Sequence, residues 1–437
     1  MRSRVLKKSH KYGIEVPNTI KDALRIDQEN GTTFWRDAVQ KEMRNVLVAF
    51  RILEEDERLP IDSKEIGVHL IFDVKMDLTR KARLVAGGHK TPDPVDTTYA
   101  GVVTRESVRI VLTYAALLEL SVWGADILNA FITAPTTESY HIVCGPEFGN
   151  ELIGRKAIIK RALYGIKSAA RDFRNHLREC MTHLGFTSCL ADADLWYRKA
   201  KTDQGIDYYE YMLFYVDDCL VTSQHPKELL DRLDKYFPLK PGSVGPPNLY
   251  LGGKLTEIVL PNGVKAWSIS GSKYIQEAIA NLEKELSKRG LQLKKKVNSP
   301  LSSGYRPECD VSVECDEEDM RLYMSLIGIL RWIVEIGRLD LTCEVSMMAS
   351  YCVMPRKGQL EQVFHMFAFL KCHHNSRIVL DPTYPIIDET VFPKKNWKQF
   401  NGDTREIIPP NAPAPLGKEF IIRAYVDADF AGDKLTR

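Results

Sequence analysis

Three aspartates in this sequence stand where a carboxylate is costly unless a cation meets it. Asp217 and Asp218 follow Tyr215-Val216 between two apolar runs, Tyr211-Met212-Leu213-Phe214 and Cys219-Leu220-Val221-Thr222. Such runs read as strands, and the residues between them fall where a hairpin turns. An acidic pair at a tight turn between core-forming strands calls for a positive partner, and a divalent metal is a natural one. Asp126 closes another apolar strand, in Ala125-Asp126-Ile127-Leu128-Asn129-Ala130-Phe131. Each feature also has a plain structural reading. Asp is a common turn former, and Asp126 would serve as a helix N-cap before Ile127, Leu128 and Phe131. Taken together they describe something else. Three carboxylates on two adjacent strands can hold two Mg²⁺ ions about 3.5–4 Å apart. Carboxylates suit Mg²⁺ because it is a hard ion that prefers oxygen.

The elements that must position these residues follow from periodicity. Thr33 is placed as a helix N-cap, and Phe34, Ala38, Val39, Met43, Val46, Leu47 and Phe50 recur behind it at helical spacing. Residues 69–75 and 82–86 alternate as strands, and 107–118 are helical, running into a short apolar piece that ends near Asp126. An amphipathic helix is expected over 172–184, and a Gly- and Pro-rich loop over 240–247. Further helices are expected over 272–286, about 319–337, and 359–370. Residues 1–30 are polar and basic and read as a loosely held lead-in. Pro409-Pro410-Asn411-Ala412-Pro413-Ala414-Pro415 reads as a stiff, extended linker.

Composition narrows the class. At about one to two hundred residues per domain, 437 residues leave room for several domains. Hydrophobic residues at 44% and charged residues at 27% exclude a mostly disordered chain, a collagen-like repeat and a disulfide mini-protein. A net charge of +2 argues against a protein that coats polyanions, while leaving room for a basic groove on a nearly neutral body. The nine cysteines are scattered singly without a Cys-x-x-Cys pair, as in reduced, intracellular proteins. The apolar stretch 110–118 is broken by Thr113 and falls far short of the roughly 20 residues that cross a membrane. No apolar stretch follows the basic start, so no signal peptide is expected. Cys372-His373-His374 is metal-like in composition, but adjacent ligands at one helix end rarely converge on one ion.

An aspartate at a strand end and a Tyr-x-Asp-Asp hairpin some way downstream resemble the layout of a polymerase palm. Further boxes in the right order resemble the reverse transcriptase region of a Ty1/copia-type retrotransposon polyprotein. They are Trp35-Arg36-Asp37-Ala38 with Glu42, Lys81-Ala82-Arg83-Leu84-Val85-Ala86-Gly87-Gly88, and Asp126 to Phe131. Ala162-Leu163-Tyr164-Gly165-Ile166-Lys167, Tyr215 to Asp218, and Tyr250-Leu251-Gly252 follow. Ile327-Gly328-Ile329-Leu330-Arg331-Trp332 with Arg338-Leu339-Asp340 comes next, and Asp427-Ala428-Asp429-Phe430-Ala431-Gly432 resembles the opening of a ribonuclease H domain. Departures are Ser168-Ala169-Ala170 where the family has Gln-Ala-Pro, and Leu339 where it has Pro.

The resemblance implies an α+β right-hand polymerase with fingers, palm and thumb and an antiparallel palm sheet. It divides the chain into a lead-in (1–33), fingers and palm (34–270), thumb and connection helices (271–405), a Pro-rich linker (406–418) and the start of a ribonuclease H domain (419–437). The implied activity is RNA-directed DNA synthesis, with Asp126, Asp217 and Asp218 binding two Mg²⁺ ions, or Mn²⁺ in their place. Phe131 would lie under the incoming sugar and select dNTPs, or be a plain core residue. Lys81 and Arg83 would face the triphosphate, or be solvated surface. Tyr250 and Gly252 would support the primer end. Lys167 and Arg171 would touch template or triphosphate, and Tyr215 completes the substrate-binding set. The implied partners are an RNA or DNA template with primer and dNTPs, with no membrane and the oligomeric state left open. The place of work would be the cytoplasm, virus-like particles or the nucleus. Only Asp427 and its neighbours of the ribonuclease H ligands occur, so that activity is not expected. The alternative is an inactive element remnant that at most binds nucleic acid.

Overall fold

A computed structural model describes residues 10–11, 13–75, 78–94, 97–384, 386, 390, 396, 398–403, 407 and 409–419. The expected ribonuclease H start beyond residue 419 lies outside the described residues. The architecture is α+β, as expected, and it is organised around one antiparallel sheet. Its strand order is Thr187–Ser188, Leu195–Lys201, Asp207–Tyr215, Asp218–Ser223 and Ser121–Asp126.

The two inner strands are buried almost throughout, because both faces of the sheet are covered. Met212, Phe214, Cys219 and Val221 point to one side, where they join Phe173 and Leu177 of the Ala169–His183 helix and Leu229, Leu230 and Leu233 of the Pro226–Asp234 helix. Leu213 and Leu220 point to the other, against Val108, Val111 and Leu112 of the Arg105–Leu117 helix and Trp267 and Ile269 of the Lys265–Ser270 strand. This two-residue alternation fixes the register, since a slip by one would turn every side chain to the wrong face.

Two smaller units flank the sheet. The Val68–Val74 and Arg80–Ala86 strands form a separate hairpin, with Phe72, Leu84 and Ala86 buried on one face. The helices Ser272–Lys288, Glu317–Ile336, Thr342–Ala349 and Lys357–Cys372 build their own core around Tyr323, Leu330, Val363 and Phe367. The Glu317–Ile336 helix starts at Asp316, whose carboxylate accepts from the backbone N–H of Glu318 and Asp319.

One expectation fails at the start of the chain. Residues 20–30 are not a loose lead-in but the Ile20–Asn30 helix, with Ala23 and Ile26 buried. Thr19 caps it, and Gly31 closes it at φ +64°. The helix is otherwise polar, so composition hid it. Thr33 stands at the N-cap of the next helix, Phe34–Val46, as expected, but its hydroxyl does not cap; Asp27 supplies the acceptor. The Asp27 carboxylate accepts from Trp35 N (3.2 Å) and Arg36 N (2.8 Å), whereas the Thr33 hydroxyl turns to Asp37.

All nine cysteines are free thiols. The side chains of 372–374 diverge: Cys372 reaches the Lys295 carbonyl, His373 lies against the Phe369 ring, and His374 meets Ser272. Among the described residues no helix is long and apolar enough to cross a membrane.

Arg338 ties two ends of the helical unit together. It is buried, and its guanidinium donates to both Asp340 oxygens (2.8 and 2.7 Å) and to the His373 carbonyl (2.8 Å). That contact, first of all, holds the Asp340 carboxyl below its ordinary value. A carboxyl with a lowered native pKa adds stability above its unfolded value and loses it as pH falls through the native one. The stability gap between wild type and Asp340→Asn in urea melts is therefore expected to be full at neutral pH and to close below about pH 4. A gap of equal size at pH 3 and pH 7 would contradict this. Half of the Asp340 side chain is exposed, so the effect is a screened one.

Candidate active site

Sheet register brings the three aspartates to one end of the central sheet. Asp218 pairs across to Tyr215 on one side and to Asp126 on the other. Val216 and Asp217 form the two-residue turn between the inner strands. Positive φ occurs at Val216 (+61°) and not at Asp217, the pattern of a type II′ hairpin turn whose first position is normally Gly. The turn is tied to the neighbouring strand end, because the Ile127 N–H donates to the Asp217 carbonyl (2.8 Å). Asp126 ends its strand and does not cap the short helix Ala130–Thr133, which begins after Asn129 in the left-handed region.

Crowding of like charge shows in the electrostatics. The Asp218 carboxyl is pushed up to about 7, by burial first, then by the charges of Asp217 and Asp126 and a hydrogen bond with Asp126. A loop residue partly offsets this. Lys240 Nζ donates to Asp126 Oδ2 (2.8 Å), and the Lys240 backbone N–H donates to the Asp126 carbonyl (2.8 Å). The Ser243 hydroxyl accepts from Asp126 N (3.0 Å). One ammonium against three carboxylates leaves a surplus of negative charge, and the donor set is oxygen only, which suits Mg²⁺ or Mn²⁺. Among the described residues, however, no three His, Cys, Asp or Glu side chains already stand in a cage able to hold an ion.

A cationic wall faces this end of the sheet. Lys81 and Arg83 lie on one side of the Arg80–Ala86 strand, and Lys81 feels the charge of Asp217. Glu42 of the Phe34–Val46 helix anchors that strand by accepting from Leu84 N (2.9 Å), and burial raises its carboxyl pKa. Arg83 lies over the Tyr164 ring, 4.2 Å from its centre. Phe131 is half-buried and packs on Tyr164 and Phe173, at 4.8 and 6.0 Å between ring centres.

A family model described as reverse transcriptase (RNA-dependent DNA polymerase) matches residues 55–284. The chain belongs to this reverse transcriptase family. Over 99% of its length it is 25% identical to the retrovirus-related Pol polyprotein from transposon RE1 of Arabidopsis thaliana, and covers 26% of that relative. It is 25% identical, over 81% of its length, to the retrovirus-related Pol polyprotein from transposon TNT 1-94 of Nicotiana tabacum, again covering 26%. A third relative, from transposon RE2 of Arabidopsis thaliana, is 24% identical over 95% of this chain. The chain thus spans about a quarter of the length of these polyproteins.

Other residues expected at the site of this family member separate into groups. Arg171 is turned inward, not toward an open groove. Its guanidinium is used by Asp172 (2.9 Å), the Thr137 hydroxyl (2.5 Å) and the Thr97 carbonyl (3.2 Å). Lys167 spans to the segment after the hairpin, donating to the Thr91 carbonyl and Asp93, both at 2.8 Å. Tyr215 is half-buried beside Arg105. Tyr250 is buried with its hydroxyl unpartnered, so it underlies the carboxylates and does not reach outward. Gly252, at φ +81°, lets the turn pass Trp332; an added Cβ would stand 3.4 Å from the indole nitrogen. Sequence reading missed Lys240, Ser243 and Tyr164. Nothing marks a lysine in a Gly/Pro loop as the partner of an aspartate far away in the chain.

A carboxyl with a raised native pKa costs stability as pH rises from its unfolded value through the native one. Asp218→Asn is therefore expected to raise the melting temperature of the metal-free protein at pH 8 and to leave it nearly unchanged at pH 4. Mg²⁺ is expected to raise the wild-type melting temperature at pH 8 more than that of the variant. Identical melting of both proteins at pH 8, with and without Mg²⁺, would contradict the crowding of charge.

Proposed function

We propose that this chain is the RNA-directed DNA polymerase portion of a Ty1/copia-type retrotransposon polyprotein. The observation that carries the reading is the pairing of Asp126 opposite Asp218, with Asp217 in the adjoining turn, in a member of the reverse transcriptase family. In this reading the central sheet is the palm, and the hairpin bearing Lys81 and Arg83 belongs to the fingers. The helices from residue 271 onward are the thumb and connection, residues 406–418 are the linker, and 419–437 begin a ribonuclease H-like segment.

Asp126, Asp217 and Asp218 would hold two Mg²⁺ ions, or Mn²⁺. When bound, the metal lowers the pKa of a primer 3′-hydroxyl and stabilises the leaving pyrophosphate. The protein's own part is positioning. Lys81 and Arg83 draw the triphosphate to the carboxylate end of the sheet, where two cations on one strand face stabilise negative charge. Phe131 lies beneath the sugar and opposes a 2′-hydroxyl. Tyr250 and Gly252 support the turn on which the primer end rests. The primer oxygen then attacks the α-phosphorus in line, and the bond to pyrophosphate breaks. RNA or DNA serves as template, and the reading is supported by relatives named as retrovirus-related Pol polyproteins from transposons.

Primer extension on poly(rA)/oligo(dT) with Mg²⁺ tests the reading. The wild-type chain is expected to extend. Asp217→Asn is expected to lose synthesis by at least about a hundredfold while gel-shift binding of the primer–template is kept. Absence of extension at every wild-type concentration would favour the inactive remnant. Extension undiminished in Asp217→Asn would refute the assignment of the carboxylates.

A further inference from the structure

We infer that Tyr164 is a specificity-determining positioning residue, whose ring holds the triphosphate-facing Arg83 and the sugar-facing Phe131 as one unit. The inference rests on the polymerase reading and extends it to a residue that contributes no charge. The Arg83 guanidinium stands 4.2 Å from the centre of the Tyr164 ring, and the Phe131 ring stands 4.8 Å from it at an interplanar angle of 55°. One ring therefore contacts both the strand that carries the cations and the floor beneath the sugar.

The ring cannot drift relative to that strand, because its backbone is pinned to it. The Ala86 N–H donates to the Tyr164 carbonyl (2.7 Å). The next residue, Gly165, has φ +91°, and a Cβ there would stand 2.1 Å from the Ala86 carbonyl oxygen. Gly88, just past the end of that strand, approaches just as closely, with an added Cβ 2.1 Å from the Gly165 carbonyl oxygen. Only two glycines allow the loop and the strand end to touch in this way. Tyr164 also lies in the field of Asp217 and Glu42, between the carboxylates and the cationic wall.

This arrangement sets what Phe131 can do. A ribose 2′-hydroxyl pressing on Phe131 is rejected only if the ring cannot retreat, and what stands behind it is Tyr164 and Phe173. Loss of the Tyr164 ring frees Phe131 to move and leaves Arg83 without its platform. Nucleoside triphosphate affinity and sugar discrimination should then fall together. A ring that merely filled space would affect stability alone.

Single-nucleotide incorporation of dTTP and UTP on poly(rA)/oligo(dT) by wild type, Tyr164→Phe and Tyr164→Leu separates these cases. Tyr164→Phe keeps the ring and is expected to stay within about twofold of wild type in both reactions. Tyr164→Leu is expected to raise the KM for dTTP about tenfold and to lower the dTTP-over-UTP ratio of kcat/KM about tenfold, with a smaller change in kcat. If Tyr164→Leu fails to fold, Tyr164→Met, unbranched and able to fill the gap, takes its place with the same expectation. A folded Leu or Met variant with wild-type KM and wild-type discrimination overturns the inference and leaves the polymerase reading standing. Failure of the wild-type chain to extend any primer overturns both.

Discussion

Three negative charges meeting at one end of a sheet, with Asp218 half-buried among them, is the constraint around which this molecule is built. Asp126 and Asp218 are direct cross-strand neighbours, and like charges so placed repel. The strands behind them are apolar on both faces, so screening is weak and the conflict is felt as a raised pKa at Asp218. The pairing cannot relax by sliding. Met212, Phe214, Cys219 and Val221 must face one core while Leu213 and Leu220 face another, and a one-residue slip would exchange them. The hydrophobic pattern of the sheet therefore holds the carboxylates together against their own repulsion, and protonation of Asp218 or an added cation lowers the energy. Within the chain that cation is Lys240.

Backbone strain gathers at the same place. Among the described residues five non-glycine positions have positive φ, and three of them, Asn129, Val216 and Leu251, border the carboxylate end of the sheet. Val216 is the most costly in kind, being β-branched at a turn position that favours Gly. Each such residue costs on the order of 1–3 kcal/mol and persists only where surrounding structure leaves no alternative. Here the surroundings are the two cores that cover the sheet. Stability at the strands and strain at their ends are two consequences of one layout.

What could be read in advance follows the same division. Helices such as Glu317–Ile336 and the strands on either side of Asp217 were legible, because burial on one stripe or face imposes a period on the residues. Asp126, Asp217 and Asp218 were legible because short polar residues interrupted apolar runs. The Ile20–Asn30 helix was not, since only a narrow stripe of it is buried and the rest is charged. Arg171 was expected to touch template or triphosphate, but its neighbour Asp172 and, from distant parts of the chain, Thr137 and Thr97 engage its guanidinium and hold it inside. Lys240 and Tyr164 were missed for a related reason. Their partners are set by tertiary contact alone: Tyr164 lies within the Ala162-to-Lys167 box, but nothing there announces Arg83 or Phe131 as its neighbours.

Charge is distributed in the same local manner. A formal net charge of +2 over 437 residues says little about either surface of the site. One wall carries Lys81 and Arg83, and the opposite end of the sheet carries three carboxylates. Glu42 stands behind the cations rather than among the carboxylates. It accepts from Leu84 N at the open edge of the hairpin, and its burial favours the neutral form while Arg83 and Lys81 favour the charged one. The backbone contact to Leu84 ties the strand to the helix behind it. The cations and the carboxylates thus stand on separate scaffolds, the Arg80–Ala86 strand tied to Glu42 and the end of the central sheet held by its two cores.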